Sequence, residues 1–185
     1  MNAYFTYSHN VPVNLSFDNG IIILNFPPPY IDAAIFIGKG NNFDNIRLFR
    51  YCIDKSIEWA ATAKQNNVSK FSKAIMFDEI NGEKDSSFIG GVYGLNQPNN
   101  RRYDAAFLLF DFVILDEKGY EGPWLIMRYK TRKQLANPQS GEIFSFHEKD
   151  FARLKEMFSE SYLAEIAKKE NELQETRAKQ NTLFN

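Results

Sequence analysis

Apolar and polar residues first alternate at Val13, Leu15 and Phe17, with Asn14 and Ser16 between them, before Asp18-Asn19-Gly20 leads into Ile21-Ile22-Ile23-Leu24. Period two marks a strand with one buried face, and Asn-Gly accepts the positive φ angles of a tight turn, so the segment predicts a β-hairpin. Pro27-Pro28-Pro29 ends the second strand because proline offers no ladder donor, and a third strand is expected over Ala33 to Gly38. The period then changes. From a cap at Asn42 or Asp44, Ile46, Phe49, Ile53, Ile57 and Ala60 recur at helical spacing to about Lys64. Leu48, Cys52, Trp59 and Ala63 form a second apolar line, so this helix is expected to cross the sheet and touch structure on two sides.

From Ala74 onward the pattern returns to β: Ile75 to Ile80, an Asn81-Gly82 turn, Phe88 to Leu95, a Pro98-Asn99-Asn100 turn, Tyr103 to Leu115, and Trp124 to Lys130. These segments predict a four-stranded antiparallel meander. Gly90-Gly91 marks a bulge or a close backbone approach, and a short strand at Glu142 to Phe144 closes the set. Ser145-Phe146-His147-Glu148 has capping-box spacing, so the last helix is expected to start there. Phe151, Leu154, Phe158, Tyr162 and Ile166 give that helix an apolar stripe, whereas beyond Ala167 the only large apolar residue before Leu183 is Leu173. The expected fold class is α+β, an antiparallel β-rich core of hairpin plus third strand, central helix and meander, with a long C-terminal helix. Residues 1–167 are read as one domain and 168–185 as a polar helical extension.

Composition fits that picture. The chain has 185 residues, 44% hydrophobic and 24% charged, enough to bury one core unaided. Its 17 Phe, 9 Tyr and 2 Trp place much of that burial in aromatic rings. With 22 Lys+Arg against 23 Asp+Glu, no whole-molecule field draws in phosphate backbones or acidic membranes, so such binding would need a local patch. The single cysteine, Cys52, excludes an intramolecular disulfide. No export signal is read at the amino terminus, and no apolar run approaches the ~18 residues of a membrane helix. A cytoplasmic protein without membrane contact is expected.

Candidate chemistry is sparse. His9 and His147 have no metal-pair spacing, Cys52 lies on an apolar helix face, and there is no phosphate loop or nucleophile elbow. No catalytic residue, metal ligand or cofactor is expected. Asp104, Asp111 and Asp116-Glu117-Lys118 resemble the acid-x-lysine half of metal-dependent nucleases, in which carboxylates hold Mg²⁺ and lysine stabilises developing charge. The same Asp116-Glu117-Lys118-Gly119 is also ordinary turn chemistry. Asp78, Glu79, Glu83 and Asp85 around the second Asn-Gly turn read as a solvated tip.

Basic residues with interleaved rings occur at Arg101, Arg102 and Tyr103, and at Arg128, Tyr129, Lys130, Arg132 and Lys133. Brought together on adjacent strands, they would offer cations to phosphates and rings to bases, as in an OB-like barrel that binds single-stranded nucleic acid. That is the alternative function, with a metal-dependent phosphodiesterase third. The leading expectation is a non-enzymatic binding or assembly protein acting through a protein partner or self-association. It would use open sheet edges and a protruding terminal helix anchored by Leu173, Leu183 and Phe184.

Overall fold

A computed structural model describes residues 2–5, 9–12, 14–18, 21–26, 33–37, 45–76, 88–97, 100–131 and 142–183. The strands are β1 (Asn2–Phe5), β2 (His9–Pro12), β3 (Asn14–Asp18), β4 (Ile21–Phe26), β5 (Ala33–Ile37), β6 (Phe71–Ala74), β7 (Phe88–Gln97), β8 (Asn100–Leu115), β9 (Gly122–Thr131) and β10 (Glu142–His147). The helices are α1 (Asn45–Gln65), α2 (Phe151–Met157) and α3 (Glu160–Leu183), with a 3₁₀ turn over Glu148–Asp150. Every strand pairing is antiparallel, in the order β2-β1-β10-β9-β8-β7-β5-β4-β3, with β6 on β8 beside this path. The α+β class and the long C-terminal helix are as the periodicity predicts. An order of this length is not that of a five-stranded barrel.

The N-terminal hairpin is in register from Asn14↔Asn25 to Asp18↔Ile21, which leaves Asn19-Gly20 as its two-residue connection. β5 then adds to β4, as expected for the third strand. β1 and β2 are new to the reading, and β1 joins β10 rather than the hairpin.

Even-numbered residues of β8 build the main core. Leu108, Phe110, Phe112 and Ile114 are buried, against Leu125 and Met127 of β9 and Phe144 and Phe146 of β10. Onto them α1 lays Leu48, Phe49, Cys52, Ile53, Ala60 and Ala63, so both of its apolar lines are used. Phe49 meets Phe110 edge-on at 5.2 Å between ring centroids and Phe158 at 4.4 Å. Ser56 is buried within this stripe, and its hydroxyl donates to the Cys52 carbonyl at 2.7 Å, which removes the cost of an unpaired polar group. On the opposite face of the sheet Trp124 is also buried, outside that cluster. The odd-numbered residues Leu109, Asp111, Val113 and Leu115 of β8 are half-buried on that face.

Four local readings are corrected. Of the strand expected at Ile75 to Ile80, Ile75 and Met76 are not in a strand and residues 77–80 are outside the described residues; a strand lies just before it, at Phe71–Ala74, and pairs with β8. Residues 77–87, with the Asn81-Gly82 turn and the acidic group Asp78, Glu79, Glu83 and Asp85, are outside the described residues. The β7–β8 register runs unbroken through Gly90↔Phe107 and Gly91↔Ala106, so there is no bulge at the glycine pair. Finally, Ser145 does not cap a helix, because β10 continues through His147. The cap is His147 itself, whose Nδ1 accepts the Lys149 N–H at 3.2 Å. The expected single helix breaks at Phe158-Ser159, where the Ser159 hydroxyl accepts the Tyr162 N–H at 3.2 Å and starts α3.

Gly122, at the start of β9, has φ +104°, and a Cβ there would lie 3.3 Å from His147 Nε2. Gly122→Ala is therefore expected to cost about 1–2 kcal/mol and several degrees of Tm. Gly119 (φ +88°) has nothing within 4 Å of its would-be Cβ, so Gly119→Ala suffers the backbone strain alone. Calorimetry should rank Gly122→Ala as the more damaging. Equal Tm values would show that the His147 contact contributes nothing.

Candidate functional site

The C-terminal end of α1 sets up the most distinctive surface. Asn67 takes φ 52°, the Val68 N–H reaches back to the Ala63 carbonyl at 2.9 Å, and the Asn67 N–H points to Lys64 O at 3.4 Å. This is a Schellman stop, with asparagine tolerating the left-handed position. It brings Val68 beside Ala63 on the wall of one cleft and turns the chain into β6.

Along β6 the Ile75 N–H donates to the Phe110 carbonyl at 2.8 Å, while Lys73 is paired with Phe112 and Phe71 with Ile114. Antiparallel ladders alternate hydrogen-bonded and open pairs, so Phe71, Lys73 and Ile75 turn their N–H and C=O groups toward β8. Ser72 and Ala74 turn theirs away. Among the described residues no strand pairs with that outer edge.

The side chains of Phe71 and Lys73 rise on the α1 side of the sheet. The Phe71 ring lies 6.4 Å from that of Phe112, and Lys73 Nζ sits 4.9 Å from the centre of the Trp59 ring. With Thr62 and Ala63 of α1 and Ile114 of β8 they line a cleft of about 160 Å³. Val68 and Phe71 at its rim are 39% and 42% exposed, large for apolar residues next to a strand edge. Lys73 makes no ion pair among the described residues. The cleft therefore combines apolar surface, one cation held over a ring, and backbone donors and acceptors that pair with no strand among the described residues. A second groove, between α1 and α2, is larger at about 280 Å³ and is lined by Ile57, Ala60, Ala61 and Lys64 with Glu148, Phe151 and Ala152, none of them from a strand.

Among the described residues, the backbone register does not bring the basic segments singled out in the sequence together. Arg101, Arg102 and Tyr103 occupy the far end of β8, where the backbone pairs with Asn96, Leu95 and Gly94. Arg128 and Lys130 pair with Leu109 and Phe107, so Arg102 is five positions along the strand from the nearer, roughly 17 Å at strand rise. Arg128 is bound to Asp111 at 3.3 Å, with both side chains 24% exposed. Lys130 is only 4% exposed, and burial, with added repulsion from Arg128 and some relief from Asp111, lowers its pKa below the ordinary lysine value. Side chains so placed offer little to a phosphate. The Tyr129 side chain, Arg132 and Lys133 are outside the described residues.

Candidate chemistry also disperses. Asp111 serves Arg128, Asp116-Glu117-Lys118 is an exposed turn closed by the Tyr120 N–H on the Glu117 carbonyl at 2.8 Å, and Asp104 lies with Tyr93 in the β7–β8 ladder. No group of metal-ligating side chains occurs among the described residues. Cys52 is buried, and burial pushes its thiol well above the usual range, away from nucleophilic use. His147 has both ring nitrogens engaged: Nδ1 accepts from Lys149 N–H, and Nε2 is 3.0 Å from the Glu121 carbonyl, so it donates there. On α3, Leu173 is 48% exposed, within a stretch 171–182 that is exposed throughout, while α3 also runs beside β3. Leu183 ends α3, and Phe184 is outside the described residues. Among the described residues no helix is long and apolar enough to cross a membrane.

The α1–β6 cleft was missed in the sequence because Phe71 stood in a segment with no clear alternation. The available signal was Asn66-Asn67 followed by Val68, a helix stop that brings an apolar residue back onto the last turn. Comparison of the chain with protein-family models, with curated proteins and with solved structures gives no match.

Proposed function

We propose that this chain is a non-enzymatic binding or assembly protein that acts through protein contacts, and that the α1–β6 cleft is its contact surface. The observation that carries the reading is the coincidence of a strand edge left open among the described residues with exposed Val68 and Phe71 around an apolar cleft. An unpaired edge is a template for another chain's backbone, and an adjoining pocket gives side-chain selectivity. A cytoplasmic setting agrees with a single buried thiol.

Photo-crosslinking tests this. A benzoylphenylalanine at position 68 is expected to form a discrete adduct with another protein in the cell of origin, and truncation after Ala167 should leave that adduct intact. The same probe at position 173 reports on the terminal arm instead. Adducts at 173 alone would move the contact to α3, and adducts at neither position would end the binding reading for both surfaces.

A further inference from the structure

Resting on the binding reading above, we infer that β6 accepts an extended peptide as an added antiparallel strand, and that the peptide carries a carboxylate followed two residues later by a large apolar side chain. The backbone decides the mode. Ser72 and Ala74 each present an N–H and a C=O away from β8, two residues apart, the repeat that an added strand matches.

Side-chain parity decides the sequence. In the added strand the residue opposite Lys73 falls in a non-hydrogen-bonded pair, where side chains approach most closely, and it shares the α1 side of the sheet with Lys73. An acidic residue there meets an ammonium that has no ion pair among the described residues and is held 4.9 Å from the Trp59 ring centre. Because the strands run in opposite directions, the residue opposite Phe71 comes two positions later in the peptide. Its side chain lies over Phe71 and Val68 at the mouth of the cleft, where an apolar group covers their exposed surface.

The same geometry argues against a second copy of this chain. Twofold pairing of β6 with itself, using all the outward groups of Ser72 and Ala74, would be centred on Lys73. It would set two ammonium groups directly opposite each other, and like charges in that position destabilise.

Fluorescence anisotropy with a labelled Thr-Val-Thr-Glu-Thr-Phe-Thr-Val-Thr peptide tests the inference. Exchanging its Glu for Lys should weaken binding about tenfold, and Lys73→Glu should reverse that preference. Ser72→Pro removes an N–H that does not serve the β8 ladder and should weaken binding about tenfold, while Ser72→Ala, which keeps the N–H, should bind like wild type. Circular dichroism of each variant verifies folding. Equal affinity for the Glu and Lys peptides, or undiminished binding by folded Ser72→Pro, overturns the added strand. If the position-68 adduct nevertheless persists, the cleft remains a contact surface and only the mode and motif are lost.

Discussion

Phe49→Ala is expected to lower stability by about 3–5 kcal/mol, roughly 10–15 °C in Tm for a chain of this size. Phe49 is fully buried and its ring touches Phe110 of β8 and Phe158 at the α2–α3 break, so one side chain ties helix, sheet and C-terminal segment together. Its loss removes both the transfer free energy of the ring and the packing of the faces left behind, which rigid strands cannot follow inward. Since whole domains are stable by about 5–15 kcal/mol, much of the margin would go. Urea titration measures it. A loss under about 1 kcal/mol would mean that α1 is not packed on β8 at this ring.

Phe112→Ala is expected to cost about 3 kcal/mol and also to spoil the cleft, because this ring belongs to both. It is fully buried from β8, meets Trp59 at 5.7 Å and Phe71 at 6.4 Å between centroids, and forms part of the cleft wall. Truncation opens a void continuous with the existing 160 Å³. Phe71→Ser provides the contrast: a 42% exposed ring has less burial to lose, so stability should change by under about 1 kcal/mol while peptide binding falls. Measuring Tm and affinity on both variants separates the two roles. Equal destabilisation by both would place Phe71 in the core instead of at a contact surface.

Much of this architecture is legible in residue order because its signals are local. The α1 stripe from Ile46 to Ala63 repeats at helical spacing, and Asn19-Gly20 sits where the β3–β4 register needs a two-residue connection. The readings that failed depend on distant partners. Nothing near Phe71 reveals that β8 is long enough to hold β6 end to end with β7 on one edge, while β9 takes the other. Ser145 fits a capping box by spacing, yet the ladder with Ile126 keeps it in a strand, and a histidine ring performs the capping. The basic residues illustrate the same limit. Arg128 and Lys130 look like a surface pair in sequence, but sheet pairing sets one against Asp111 and buries the other. The α1–β6 cleft was the least visible part, since it arises where a helix stop, a short edge strand and two core rings meet.

Residue-resolved amide hydrogen exchange across β6 tests the open edge most directly. Lys73 and Ile75, bonded to β8, should exchange slowly, and Ser72 and Ala74 should exchange close to the rate of free peptide until an acidic, apolar-tailed strand is supplied, when they should slow. Slow exchange at Ser72 and Ala74 in the isolated protein would contradict the claim, because their donors would then already be occupied.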